Sequence, residues 1–308
     1  MLKIEHLTKI YGDKKAVDDL SLHIKSGEIY GFIGHNGAGK TTTLKACTGI
    51  LQYDGGEITV DGVSIKDDPI TCKSKIAYIP DNPALYEIMT GIQFLNFTAD
   101  VFGVSAFDRK ERITKYADMF EITADLGSPI SAYSHGMKQK LAIISALIHE
   151  PKLIIMDEPF VGLDPKATHL LKEIMRDMCT KGTAIFFSTH VLEVAEKLCD
   201  KVAIIKGGKL IRFGTMEEVK GDTSLEDVFL ELEEAKCQRL ISKSRCWGFF
   251  PGLIRTERRE SFVLQRVLSL IQYSILLFLF LSVRSFTVPP LCCVNHLFPL
   301  KRALYIGA

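Results

Sequence analysis

The run at residues 34 to 42, Gly-His-Asn-Gly-Ala-Gly-Lys-Thr-Thr, constrains this chain more than any other stretch. An apolar segment, Ile29–Ile33, precedes it, and a helix-like stretch over residues 42 to 50 follows. Strand, glycine loop, then a Lys-Thr pair opening a helix is the setting in which a backbone wraps phosphate. Gly34, Gly37 and Gly39 carry no Cβ, so the chain can turn tightly and aim its N–H groups at an anion. A helix opening at Lys40 adds its positive dipole end. Lys40 can reach β- and γ-phosphates, and the Thr41 hydroxyl can hold a magnesium ion. A glycine-rich turn is the bland alternative; the strand before and the helix after favour a nucleotide loop made of Gly34, His35, Asn36, Gly37, Ala38, Gly39, Lys40, Thr41 and Thr42.

The pattern on either side predicts an α/β fold. Residues 2 to 33 read as short strands, with Leu2, Ile4, Leu7, Val17, Leu20, Leu22 and Ile24 as their apolar members and turns at Tyr11-Gly12-Asp13 and Ser26-Gly27. A hairpin holding Ile58 to Val60 lies between Gly55-Gly56 and Asp61-Gly62. A strand over residues 75 to 79 stops at Pro80-Asp81-Asn82-Pro83. From about residue 84 to residue 150 the period becomes helical: Phe94, Phe97, Val101 and Phe102 form one stripe, Ile113, Tyr116, Ala117 and Phe120 another. Such stripes ordinarily face a core, and the block reads as an inserted helical subdomain. Ser134-His135-Gly136 opens a further helix, with Met137, Leu141, Ile144 and Ile148 along one face. Apolar runs at 153 to 156, 184 to 188 and 202 to 205 suit buried parallel strands. Between the first two, Asp164 is placed as N-cap and Pro165 as first residue of a helix. Strands alternating with helices indicate a doubly wound parallel sheet.

The net charge of +1 conceals an asymmetry: residues 1 to 235 carry 27 Lys/Arg against 35 Asp/Glu, and residues 236 to 308 carry 11 against 2. A mildly acidic body argues against a nucleic-acid-coating surface, so no nucleic-acid partner is expected. Eight cysteines without a Cys-x-x-Cys pair, and no N-terminal signal segment, read as free thiols in a reducing, cytosolic compartment. Cys47, Cys179 and Cys199 read as small buried hydrophobes.

Chemistry is concentrated at strand ends. Asp157 closes an apolar strand, where a carboxylate can bind the magnesium held by Thr41. Glu158, next to it, can polarise a water for attack on a γ-phosphate, and Pro159 leaves no helix for the pair to cap. His190 ends the neighbouring strand; a lone histidine is more often structural, but this placement suits sensing the γ-phosphate.

Taken together, these residues resemble the ATP-binding subunits of ABC transporters over about residues 2 to 234. The match lies in the Walker A run at 34 to 42, the Walker B strand at 153 to 158, the loop Gly162-Leu163-Asp164-Pro165 and the switch His190, all in the family's order. The resemblance implies a P-loop NTPase core with a parallel sheet, an antiparallel β subdomain and an inserted helical subdomain. It implies ATP and Mg2+ as ligands, ATP hydrolysis coupled to transport, and nucleotide contacts from Asp164. Tyr11, which by itself reads as a turn aromatic, is implied to stack on adenine. Tyr133-Ser134-His135-Gly136-Met137 stands where the family has its signature L-S-G-G-Q. In the family two copies meet head to tail, so that Ser134 and Gly136 of one would close over the phosphates held by the other. The implied partners are therefore a second ATP-binding subunit, identical or different, and transmembrane permease subunits docked near residues 81 to 95. That puts the chain at the cytoplasmic face of the membrane, and a short helix at 224 to 234 points to an exporter.

Two departures stand out. His135 and Met137 replace a glycine and the glutamine of the signature, and Asp81 replaces a glutamine that touches magnesium in the family. Aspartate is also an oxygen ligand, so Asp81 stays in the metal set with Thr41 and Asp157, and altered metal affinity is expected. A soluble relative acting on ribosomes or DNA is the alternative; it would bring two ATPase domains or a long coiled-coil insertion, and neither is seen. A nucleotide-binding partner with little turnover is a third reading, against which Glu158 and His190 count.

The tail from residue 235 differs in kind. Residues 267 to 283 are apolar and uncharged between Arg266 and Arg284, at the lower edge of bilayer-spanning length. A membrane anchor, an unpacked extension and an out-of-frame reading all fit it. The loss of acidic residues, Pro289-Pro290 and Cys292-Cys293 favour the latter two.

Overall fold

Three strands open the chain in the computed structural model, which describes residues 1–232: β1 (Leu2–Tyr11), β2 (Lys14–Ile24) and β3 (Ile29–Ile33). β1 and β2 pair antiparallel from Leu2 opposite Ile24 to Tyr11 opposite Lys14. Strict alternation would put Ile4 and Leu7 on opposite faces, yet both are buried. A bulge reconciles them, with His6 at φ 53° and Asp19 at φ 57° absorbing the extra residue in each strand. After α1 (Lys40–Cys47), β4 (Gly55–Val60) and β5 (Val63–Ser64) form the expected hairpin and complete an antiparallel sheet in the order β2-β1-β4-β5. Gly55 and Gly56 lie inside β4 rather than ahead of it.

The chain then passes through α2 (Pro69–Ser74) into β6 (Ile76–Ile79) and leaves the sheet for three helices. These are α3 (Gly91–Val101), α4 (Ala106–Met119) and α5 (His135–Leu147). Each begins where a side chain satisfies free N–H groups: Thr90 with Gln93 in a reciprocal cap, Ser105, and Ser134. The return path is β7 (Leu153–Asp157), α6 (Pro165–Thr180), β8 (Ala184–Thr189), α7 (Leu192–Leu198), β9 (Lys201–Lys206), β10 (Lys209–Thr215) and α8 (Met216–Lys220). The second sheet runs β10-β9-β3-β8-β7-β6, parallel throughout except for the antiparallel edge strand β10. Residues 225 to 232 are helical again and bury Leu225 and Val228.

The parallel strands carry apolar side chains on both faces and so divide two cores. Ile29 and Ile33 of β3 join Met156, Ile185 and Phe187 beneath α3 to α6. Tyr30 and Phe32, the alternate residues, join Leu44, Phe186 and the inner face of the antiparallel sheet. Cys47 and Cys199 are buried as expected, and Cys179 is half-buried; all three thiols are free.

One helical stripe is split between core and surface: Phe94 packs half-buried against the helical core, and Phe102 is half-buried on His149. α3 buries Gly91, Leu95 and Ala99, whereas Phe97 and Val101 face outward at 42% and 64% exposure. The 3.6-residue period fits either face, and Gly91 and Ala99, on either side of Leu95, turn out to mark the buried one, where α5 packs. The α4 stripe is the expected one, with Ile113, Ala117 and Phe120 buried. No helix among the described residues is long and apolar enough to cross a membrane. The expectations for residues 235 to 308, including the apolar stretch at 267 to 283, lie outside the described residues.

Candidate nucleotide site

The glycine loop joins β3 to α1 and lies at the C-terminal ends of the parallel strands. Gly39 caps α1 with φ 111°, a conformation costly for any other residue. A Cβ there would stand 2.5 Å from the Ala16 carbonyl oxygen, and one on Gly34 would stand 2.5 Å from that of Ile205. The loop is thus seated against the antiparallel subdomain on one side and β9 on the other. Ala38 is buried, while His35 and Asn36 stand at the exposed crest. The His35 ring packs on Phe229, with ring centroids 4.7 Å apart.

A cleft of about 350 Å3 opens beside this loop. Its walls include Tyr11, His35, Gly37, Gly39, Lys40, Thr41, Thr42, Asp81, Asp157 and Glu158. Loop residues 37 to 42 and the distant Asp157 and Glu158 converge because β3, β8 and β7 are adjacent and parallel, so their ends fall side by side. Lys40 is buried to 6% exposure; its Nζ donates to the Gly34 carbonyl at 2.5 Å and lies 3.5 Å from Glu158 Oε1. His190 Nδ1 is 2.9 Å from Glu158 Oε2, so the two strand-end groups meet as their placement suggested.

Ser188 was not singled out in the sequence, and it organises the acidic pair. Its buried hydroxyl donates to Asp157 Oδ1 at 2.5 Å and accepts the Glu158 N–H at 3.0 Å. Glu158 itself sits at φ 49°, a left-handed conformation that costs a non-glycine residue roughly 1 kcal/mol or more. The role of Ser188 follows from its register directly opposite Asp157 across β7 and β8, which no motif in the sequence marks. Lys14 and Ala16, also cleft residues, carry no motif.

Thr41, Asp157 and Asp81 present a hydroxyl and two carboxylates to one cleft, a hard-oxygen set that suits Mg2+ rather than a softer metal. Ser134, Gly136 and Asp164 stand apart from this lining. Ser134 accepts the Met137 N–H at 3.2 Å as the cap of α5. Asp164 accepts the Ala167 N–H at 2.8 Å and pairs with Lys140 at 2.8 Å. That pairing, with the cap bond, holds the Asp164 carboxyl below the usual carboxylate range.

A phosphate-cradling loop backed by two strand-end carboxylates defines a P-loop nucleoside-triphosphatase site. Residues 17–161 match the family model for ABC transporter. "Linearmycin resistance ATP-binding protein LnrL" of Bacillus subtilis (strain 168) is 34% identical over 239 residues, covering 76% of this chain and 77% of its own. "ABC-type transporter ATP-binding protein EcsA" of the same organism is 35% identical over 237 residues, covering 75% and 96%. A solved structure described as "Structure of ATP binding subunit of ABC transporter" superposes with a TM-score of 0.73 at 35% identity, over 76% of this chain and 99% of that one. The chain belongs to the ABC transporter ATP-binding proteins, as one of their ATP-hydrolysing cassettes.

Proposed function

We propose that this chain drives an exporter by binding and hydrolysing ATP as one half of a head-to-tail pair. The observation that carries the reading is the grouping of Lys40, Asp157 and Glu158 in one cleft, with His190 against Glu158, while Ser134 and Gly136 lie outside the cleft lining. A cleft lined by the loop and the proposed metal ligands, but not by the proposed signature residues, is what one half of a composite site would present. Tyr11, half-exposed at the end of β1, lines the cleft and is the residue proposed to stack on adenine, a reading its position supports. The loop N–H groups and Lys40 hold the phosphates. Thr41, Asp157 and Asp81 would hold Mg2+, which supplies charge stabilisation to the phosphoryl group.

In the reaction, Glu158 takes a proton from water as the water oxygen attacks the γ-phosphorus. The β–γ bond breaks, and ADP leaves with the bonding electrons. His190, held at Glu158, orients the γ-phosphate and registers its departure. Ser134 and Gly136 of the second cassette, with Asp164 beside them, close the site from across the interface. Permease subunits are the proposed membrane partners, placing the chain at the cytoplasmic face. The outward Tyr86, Ile88, Phe97 and Val101 near the proposed docking groove support this, as does one relative's name linking it to linearmycin resistance.

Glu158→Gln keeps the shape and removes the basicity. Turnover is expected to fall by about 10²- to 10⁴-fold with nucleotide affinity retained. Sizing chromatography with Mg-ATP should then show a stable dimer. Unchanged turnover would remove Glu158 as the base.

A further inference from the structure

Gln139 is fully buried, and neither its Oε1 nor its Nε2 has a hydrogen-bond partner among the described residues. Leaving both ends of a buried amide unpaired is rare enough to require a cause, because such a group forfeits its hydration without recompense. Its surroundings supply one. Around α5, at 3.6 residues per turn, His135, Gln139, Gly136 and Lys140 fall at roughly 0°, 40°, 100° and 140°. The other three all touch the loop that follows Glu158. A Cβ on Gly162 would meet the His135 ring at 2.5 Å, one on Gly136 would meet the Gly162 carbonyl oxygen at 2.9 Å, and Lys140 pairs with Asp164. Gln139 is therefore at the middle of the face that α5 turns to residues 158 to 164. Helical side chains lean toward the N-terminus, which carries its amide toward the level of Gly162.

That loop holds two left-handed residues, Glu158 and Gly162, and few internal bonds: Val161 N–H to the Glu158 carbonyl at 3.1 Å and Leu163 N–H to that of Phe160 at 3.4 Å. A strained loop beside an unused amide has a second arrangement open to it, in which its peptide groups turn to the amide.

We propose that Gln139 is a positioning residue for ATP hydrolysis: in the nucleotide-loaded chain its amide hydrogen-bonds the loop 158–164, fixing Glu158 against the start of α5. The proposal rests on the reading of Glu158 as the water-activating group. Gln139 itself does not line the phosphate cleft, and the contact is within the chain rather than across a dimer.

Gln139→Met, unbranched and of equal length, tests it. Removing an unpaired polar group should raise the nucleotide-free Tm by about 2 °C or more, since it relieves a desolvation cost. Loss of the loaded-state bond should cut the Tm rise produced by Mg2+ and a non-hydrolysable ATP analogue to less than half the wild-type rise. It should also lower kcat about tenfold with KM within about threefold. A residue that merely fills the core would shift both melting points alike and leave kcat in place; an unchanged nucleotide-induced rise overturns the proposal. Gln139→Leu carries the same comparison if the methionine variant does not fold. Glu158→Gln separates the two readings: persistent turnover there removes Glu158 as the base, whereas a dead Glu158→Gln beside a normal Gln139→Met removes Gln139 alone.

Discussion

Single residues in this protein gain their properties from where burial puts them. His149 follows α5 and stacks on Phe102 with ring centroids 3.8 Å apart and planes 12° from parallel. Burial, with Arg112 nearby, lowers its pKa to about 4 from an ordinary 6.5. The unfolded chain therefore binds a proton between pH 6.5 and 4 that the folded chain refuses, so stability must fall as pH drops through that window. From pH 7 to pH 5 the loss from this one ring is at most about 2 kcal/mol. His149→Phe keeps the stack, and denaturant titrations at the two pH values should show most of that loss gone. Nothing in the sequence marks His149, because its environment is made by α3 and α5 meeting. Glu158 and His190 are the opposite case. Both end apolar strands, and parallel pairing forces neighbouring strand ends together, so their 2.9 Å contact was legible from position alone. Ser188, which bonds to both Asp157 and Glu158, was not legible, because a serine inside an apolar strand looks like any other.

At the scale of elements, the punctuation was easy to read and the facing was not. Asp164-Pro165 begins α6 and Ser134 begins α5, because caps are local chemistry. Which face of α3 is buried depends on what packs against it, and Phe97 and Val101 are left outside while Gly91, Leu95 and Ala99 are buried. The outcome is an aromatic group on the surface, where Tyr86 meets Phe97 edge-on at 5.8 Å and Phe94 at 6.3 Å. Phe97→Asp should leave Tm within about 2 °C and basal ATPase unchanged, since a surface change away from the core costs little. It should abolish co-purification with the permease if this face is the docking surface. Retained co-purification would move the contact elsewhere.

For the whole molecule, the descriptive unit is the pair of cores on either side of the parallel sheet. Its C-terminal limit can be tested by truncation. Residues 225 to 232 bury Leu225 and Val228, and Lys206 Nζ donates to the Leu232 carbonyl at 2.7 Å. A chain ending at residue 235 should therefore melt cooperatively and hydrolyse ATP. One ending at residue 223 loses two buried aliphatic residues and about 3 kcal/mol or more. Calorimetry of the two chains side by side would decide it.

A strand buried on both faces raises a problem that polarity cannot solve. Slipping β3 by one residue would trade Ile29 and Ile33 for Tyr30 and Phe32 and still bury only apolar groups, so hydrophobicity alone leaves its pairing undetermined. Gly31 resolves the ambiguity by size. A side chain in its place would stand 2.7 Å from the Cys199 sulfur and 3.3 Å from Val202, so a one-residue slip in either direction drives an aromatic ring, Tyr30 or Phe32, into that gap. The alignment that brings the glycine loop level with Asp157 and Glu158 is thus guarded by an absence of atoms on β3 itself, three residues ahead of the loop.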